Sequence, residues 1–171
     1  GGGGAFTTVG DTLRNRKFAL SLEVPFVLGL EELVDGTMLE YAGRRGFTAA
    51  LFEGGQHDEP EAIDRVEAAV WIALAAAGLI SEEDVPEVGR GRQRLSHEAR
   101  DQPPVFEMRY KYDIEPGSSF LMRPGFENFE PVVGGELLGS NGDGEVRSPE
   151  AGRILMPLYQ EQGEDGFFIV R

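Results

Sequence analysis

Apolar and polar positions follow two different rhythms along this chain. Up to residue 80 the spacing is mostly helical, broken by short runs that are apolar throughout. Leu13, Phe18 and Leu22 recur at roughly helical spacing behind Asp11, which stands where an N-cap belongs. A helix is therefore predicted over residues 12–22, stopped by Pro25, and Phe26-Val27-Leu28 reads as a short buried strand. Asp35 can cap a second helix over residues 36–45, carrying Met38, Leu39 and Tyr41 and closing at Gly46. Residues 47–52 form another apolar strand. Asp58 and Glu61 resemble a capping box, with Pro60 in the first turn of a helix that runs to about Ala77 and ends at Gly78. That helix is apolar over most of its surface, which predicts burial against a sheet.

Residues 81–104 are rich in Arg and Glu and end in Pro103-Pro104, the pattern of a short helix followed by a linker. Beyond them the period changes to two. Residues 106–113 alternate like a strand, and turn signals follow at Pro116-Gly117, Pro124-Gly125, Gly134-Gly135, Asn141-Gly142 and Ser148-Pro149. The expected organisation is an α/β domain over residues 1–103 and a small all-β barrel or sandwich over residues 104–171.

Charge narrows the partners. Sixteen Lys and Arg stand against thirty Asp and Glu, a formal charge of −14, so nucleic acid and anionic membrane are not expected partners. The longest apolar stretch, residues 68–80, is too short to span a bilayer. With no signal peptide visible, a soluble cytoplasmic protein is expected. There are no cysteines, which excludes disulfides and thiolate metal sites. The chain opens on Gly1-Gly2-Gly3-Gly4 without an initiator Met, either a linker or the cut edge of a longer protein. Truncation is the favoured expectation.

Glu53 is the leading chemical candidate. It ends an apolar strand, where open α/β sheets place a ligand crevice, and Gly54-Gly55 would let backbone approach a ligand. A partly buried carboxylate there suits general acid/base work; the alternative is a strand end in solvent. His57 follows in Gln56-His57-Asp58-Glu59, but no multi-ligand metal spacing surrounds it, so a supporting or surface role is expected. His97, the only other histidine, falls in the charged segment. Arg14, Arg16, Arg44 and Arg45 are the cations nearest the expected crevice, suited to carboxylate recognition or simply to solvated helix faces. Residues 132–156 have the cadence of a lipoyl- or biotinyl-type barrel-sandwich hybrid. The only lysines are Lys17 and Lys111, so no attachment lysine lies in a hairpin there and a carrier role is excluded.

Taken together, several stretches resemble the succinylglutamate desuccinylase/aspartoacylase family, relatives of the zinc carboxypeptidases. They are residues 8–19, Gly36-Thr37-Met38-Leu39-Glu40-Tyr41, Phe52-Glu53-Gly54-Gly55-Gln56-His57, Met156-Pro157-Leu158-Tyr159-Gln160 and Gly163-Glu164-Asp165-Gly166-Phe167-Phe168. The resemblance runs from Phe6 to Arg171 but covers only the C-terminal part of the family's length. It implies a partial zinc-carboxypeptidase-like sheet with helices, followed by the barrel-sandwich-like domain. It places the catalytic glutamate on Glu53, a substrate-binding tyrosine on Tyr159 and a substrate-carboxylate arginine on Arg44 or Arg45. His57 is left in a supporting position. The family's zinc ligands lie before this chain begins and none is matched here. The implied activity is hydrolysis of a linear amide, an N-acyl amino acid or similar small molecule, by a zinc-dependent deacylase. This chain would be an inactive fragment of it. The alternative is a non-catalytic module whose β-barrel mediates assembly; the acyl group, the amine and any homo-oligomer stay open.

Overall fold

The computed structural model describes residues 4–33, 36–56, 59–142, 144–160 and 163–171. They divide into two compact units, Gly4–Glu107 and Met108–Arg171. Among the described residues no helix is long and apolar enough to cross a membrane.

The first unit contains β1 (Phe6–Thr8), α1 (Leu13–Leu20), β2 (Phe26–Leu28), a 3-10 turn (Glu31–Leu33), α2 (Met38–Arg44), β3 (Leu51–Glu53), α3 (Pro60–Ala76) and α4 (Pro86–Ala99). It also takes the start of β4 (Val105–Asp113). Its strands lie in the order β3-β1-β2-β4. β1 and β2 are parallel, Thr7 opposite Phe26, and β2 and β4 are parallel, Val27 opposite Phe106. β3 runs antiparallel to β1, with Phe6 opposite Glu53.

Threonines rather than aspartates begin the first two helices. The Thr12 hydroxyl accepts from the Asn15 N–H at 3.2 Å and Thr37 from the Glu40 N–H at 3.1 Å. Asp11, expected as a cap, is instead paired with Arg16 at 2.5 Å; Asp35 lies outside the described residues. Asn15 is buried because its amide ties two loops together: Nδ2 donates to the Gly10 carbonyl at 2.9 Å, and Oδ1 accepts from the Ala49 N–H at 3.2 Å. The apolar run at 47–52 forms a strand only from Leu51, and Phe47 stands 63% exposed.

Residues 81–104 hold far more helix than their charge suggests. Val88, Gly91 and Leu95 sit at i, i+3 and i+7 of α4 and are buried, while its charged residues point outward. Ala5, Leu22, Val24, Ala68, Ala69 and Ile72 complete that core. α3 and α4 approach closely where a side chain on Gly91 would lie 3.2 Å from the backbone of Ala68. Arg92 fastens α4 to the end of α1, donating to the Ser21 carbonyl at 3.0 Å and pairing with Glu23 at 2.9 Å. α3 is not buried on all sides as its composition predicts: Ile63 is 71%, Val66 45% and Val70 51% exposed.

The second unit holds the remainder of β4 with β5 (Phe120–Met122), β6 (Pro131–Val132), β7 (Leu137–Asn141), β8 (Gly144–Arg147), β9 (Gly152–Leu155) and β10 (Asp165–Val170). They make two antiparallel sheets, β4-β10-β9-β6 and β5-β7-β8. Met122, Leu138 and Val146 from one sheet and Val132, Ile154, Phe167 and Ile169 from the other share a single core. Phe167 stacks on Tyr112 with centroids 5.3 Å apart and planes within 2°. Two packed sheets stand where a barrel or sandwich is expected. Lys111 is held by Asp165 at 2.9 Å and Asp113 at 3.0 Å, which together raise its pKa above the ordinary lysine range.

Candidate functional site

The space beside Glu53 is a cleft of about 350 Å³, walled by Phe52 to Gln56 on one side and by Ala62, Ile63 and Val66 of α3 on the other. Its position differs from the strand-end crevice expected from the sequence. Because β3 is antiparallel to β1, Glu53 lies beside the first residue of β1 and not at the carboxyl ends of the parallel strands. Packing of the Glu53–Gln56 segment against α3, not strand polarity, creates the cleft.

The two glycines after Glu53 are required by that packing. A Cβ on Gly54 would lie 2.8 Å from Cγ2 of Val66 and 2.9 Å from the Ala62 carbonyl oxygen. Gly55 has φ 130, a conformation other residues rarely adopt, and a Cβ there would meet Glu59 and Arg65 at 2.7 and 2.9 Å. The room left by the missing side chains is thus filled by the protein itself.

Arg65 anchors the segment and is the functional-site residue that sequence reasoning missed. Its side chain is only 14% exposed. Nη1 donates to the Gly54 carbonyl at 3.0 Å and reaches Glu59 at 3.3 Å, while Nε pairs with Glu98 of α4 at 2.6 Å. Burial alone would lower the Arg65 pKa; Glu98 and Glu59 more than offset it and raise it. A signal was available, since Arg65 is the lone cation of α3, set among Ala62, Val66, Ala68 and Ala69.

The other expected site residues have separate surroundings. Arg44 pairs with Glu40 at 2.5 Å and its side chain is 78% exposed, while the guanidinium of Arg45 lies 4.4 Å from the centre of the Tyr41 ring. Neither lines the cleft. Arg14 donates to the Gly46 carbonyl at 3.0 Å, and Arg16 is committed to Asp11. His57 lies outside the described residues. His97 sits on α4 with its ring 2.8 Å from Nη1 of Arg100.

Within the second unit, the Tyr159 hydroxyl accepts from the Phe126 N–H at 2.8 Å and lies 3.1 Å from the carbonyls of both Arg123 and Phe126. Burial chiefly, with Glu130 and Glu127 adding, raises its pKa above the ordinary phenol value. Tyr159 also borders a cleft of about 400 Å³ with Phe120, Leu121, Leu158 and Gly163. Among the described residues no three His, Cys, Asp or Glu side chains converge to hold a metal.

Among the described residues the fold is α/β, with mixed strands and four α-helices, and solved structures share it. An ectoine utilization protein, EutE (DoeB) from Ruegeria pomeroyi, matches 98% of this chain at TM-score 0.67 and 17% identity, over 55% of its own length. Succinylglutamate desuccinylase from Vibrio cholerae matches 99% at TM-score 0.54 and 16% identity, over 50% of its length. A succinylglutamate desuccinylase from Silicibacter sp. TM1040 matches 98% at TM-score 0.54 and 12% identity, over 54% of its length. The latter two carry the name of the family that the sequence motifs resemble. The chain spans about half the length of each of these structures. No family pattern matches the chain, and no curated protein matches it.

Proposed function

We propose that this chain is the C-terminal portion of a deacylase that hydrolyses the linear amide of an N-acyl amino acid, with Glu53 as its proton-transfer group. The observation that carries this reading is Glu53 on the wall of a ligand-sized cleft, in a chain that shares its fold over nearly its full length with desuccinylases. The reaction adds water across the amide: the C–N bond breaks, a carboxylic acid forms, and the amine departs with a proton. Glu53 takes a proton from the attacking water and returns one to the leaving nitrogen. Arg65 holds the Gly54 carbonyl and so fixes the segment that carries Glu53. The roles of Arg44 or Arg45 in carboxylate recognition, of Tyr159 in substrate binding and of His57 in support rest on the family resemblance alone, since neither arginine lines this cleft. In this reading zinc would belong to the native-length protein, held by residues outside this chain. The 171 residues alone would be inactive. The second unit, with one core between two antiparallel sheets, is read as a barrel-sandwich-hybrid-like module.

The test is Glu53→Gln in the native-length protein, which keeps shape and hydrogen bonding but removes the proton acceptor. Loss of a general acid/base group costs about 10²- to 10⁴-fold, so turnover of an N-acyl amino acid should fall at least about a hundredfold. Turnover within a few-fold of wild type removes Glu53 from the mechanism, whereas no turnover in the wild-type protein itself leaves a non-catalytic module as the better reading.

A further inference from the structure

The side chains around the Glu53 cleft are mostly of one chemical kind. Phe52 of β3 and Ala62, Ile63 and Val66 of α3 are apolar, Gln56 is neutral, and Glu53 is the sole charged residue among the described ones that border it. None of those residues is a lysine or an arginine. Arg65 lies against the same segment but is already committed. It holds the Gly54 carbonyl at 3.0 Å, Glu59 at 3.3 Å and Glu98 at 2.6 Å. Its two carboxylate partners already outnumber its single charge. A carboxylate entering the cleft would lose its water against Phe52, Ile63 and Val66 with no cation to replace it, which is costly. An alkyl group entering by the same route gains from burial. At about 350 Å³ the space is at the small end of ligand sites, so a short chain fits it.

An N-acyl amino acid has a carboxylate on its amine side, while its acyl side can be uncharged. With the scissile amide at Glu53, only the acyl side suits these walls. We infer that the cleft is an acyl subsite that selects a short, uncharged, apolar acyl group and rejects a dicarboxylic one. The position of the scissile amide rests on the deacylase reading; the preference of the cleft for apolar over anionic groups does not.

Two acyl groups of matched shape separate charge from size: 4-methylpentanoyl carries an isopropyl group where succinyl carries a carboxylate. The 171-residue chain is titrated with the N-methylamide of each, and the backbone amide signals of Gly54 and Gly55 are followed by NMR. The 4-methylpentanoyl amide should shift both signals with a Kd at least about tenfold below that of the succinyl amide. Ile63→Lys places a cation on the cleft wall at a position 71% exposed, and should reverse the order. In the native-length protein, kcat/KM for N-(4-methylpentanoyl)alanine should exceed that for N-succinylalanine by at least about tenfold. It should fall about fourfold with each methylene removed from the acyl chain. Equal or tighter binding of the succinyl amide, no shift at Gly54 and Gly55, or a higher kcat/KM for the succinyl substrate overturns the proposal. Selective binding by the chain with no turnover of either substrate upholds the apolar cleft and refutes only the deacylase reading.

Discussion

Replacing Gly54 by alanine isolates the contact that shapes the Glu53 cleft. The backbone at Gly54 is ordinary, so the cost is purely spatial: the new methyl lies 2.9 Å from the Ala62 carbonyl oxygen and 2.8 Å from Cγ2 of Val66. A helix carbonyl cannot retreat without moving the helix, and a β-branched valine on a helix has one strongly preferred rotamer. The first turn of α3 must therefore shift away, stretching the 3.0 Å bond from Arg65 to the Gly54 carbonyl. Overpacking of this kind costs about 1–3 kcal/mol, and about 2 kcal/mol is expected here. Gly89 supplies the opposite case: it lies within α4 with nothing near its absent Cβ. Gly89→Ala should stabilise by about 0.5–1 kcal/mol through helix propensity and a less flexible unfolded chain. Trp71 is the sole tryptophan and packs against the first unit's core, so its fluorescence during urea unfolding reads this unit directly. With a slope of roughly 2 kcal/mol/M, the two midpoints should separate by more than about 1 M. A Gly54→Ala stability within about 0.5 kcal/mol of wild type, or a Gly89→Ala loss exceeding it, refutes the packing argument.

Phe167→Ala should cost about 3–5 kcal/mol, because Phe167 is fully buried and stacked on Tyr112; a calorimetric loss below about 1 kcal/mol would contradict its place at the centre of the second core. Tyr159→Phe leaves the Phe126 N–H without its 2.8 Å acceptor, so that amide should exchange with solvent at least about tenfold faster by NMR, and an unchanged rate would deny the tether. Burial, with Glu32 and Asp11 adding, raises the Glu31 pKa above its ordinary 4.5. An acid whose folded pKa exceeds its unfolded value destabilises once ionised, and that cost fades as pH falls through the folded pKa. Glu31→Gln should therefore raise the thermal midpoint at pH 7 and have progressively less effect toward pH 4; a gain independent of pH would sink this reasoning.

Much of the local structure is written in the sequence. Leu13 to Leu20, Phe26 to Leu28, Pro60 to Ala76 and the turn-punctuated strands after Val105 follow from periodicity, prolines and turn residues, which act over a few positions. The paired motifs around Glu53 and Tyr159 also point to the proteins whose solved structures share the fold. What the sequence leaves open depends on distant partners. Asp11 and Thr12 are both competent caps; Arg16 takes the aspartate and leaves the threonine to the helix. Val88, Gly91 and Leu95 are sparse among charges, and only the facing surface of α3 makes them a core. Strand direction has no signature in residues 51–53, yet it sets which end of the sheet Glu53 occupies. Arg65 becomes an anchor only because Gly54, Glu59 and Glu98, separated in the chain, converge on one guanidinium. Periodicity records which residues share a face; only non-local packing decides what that face meets, because the energy of burial belongs to the pair of surfaces and not to either segment alone.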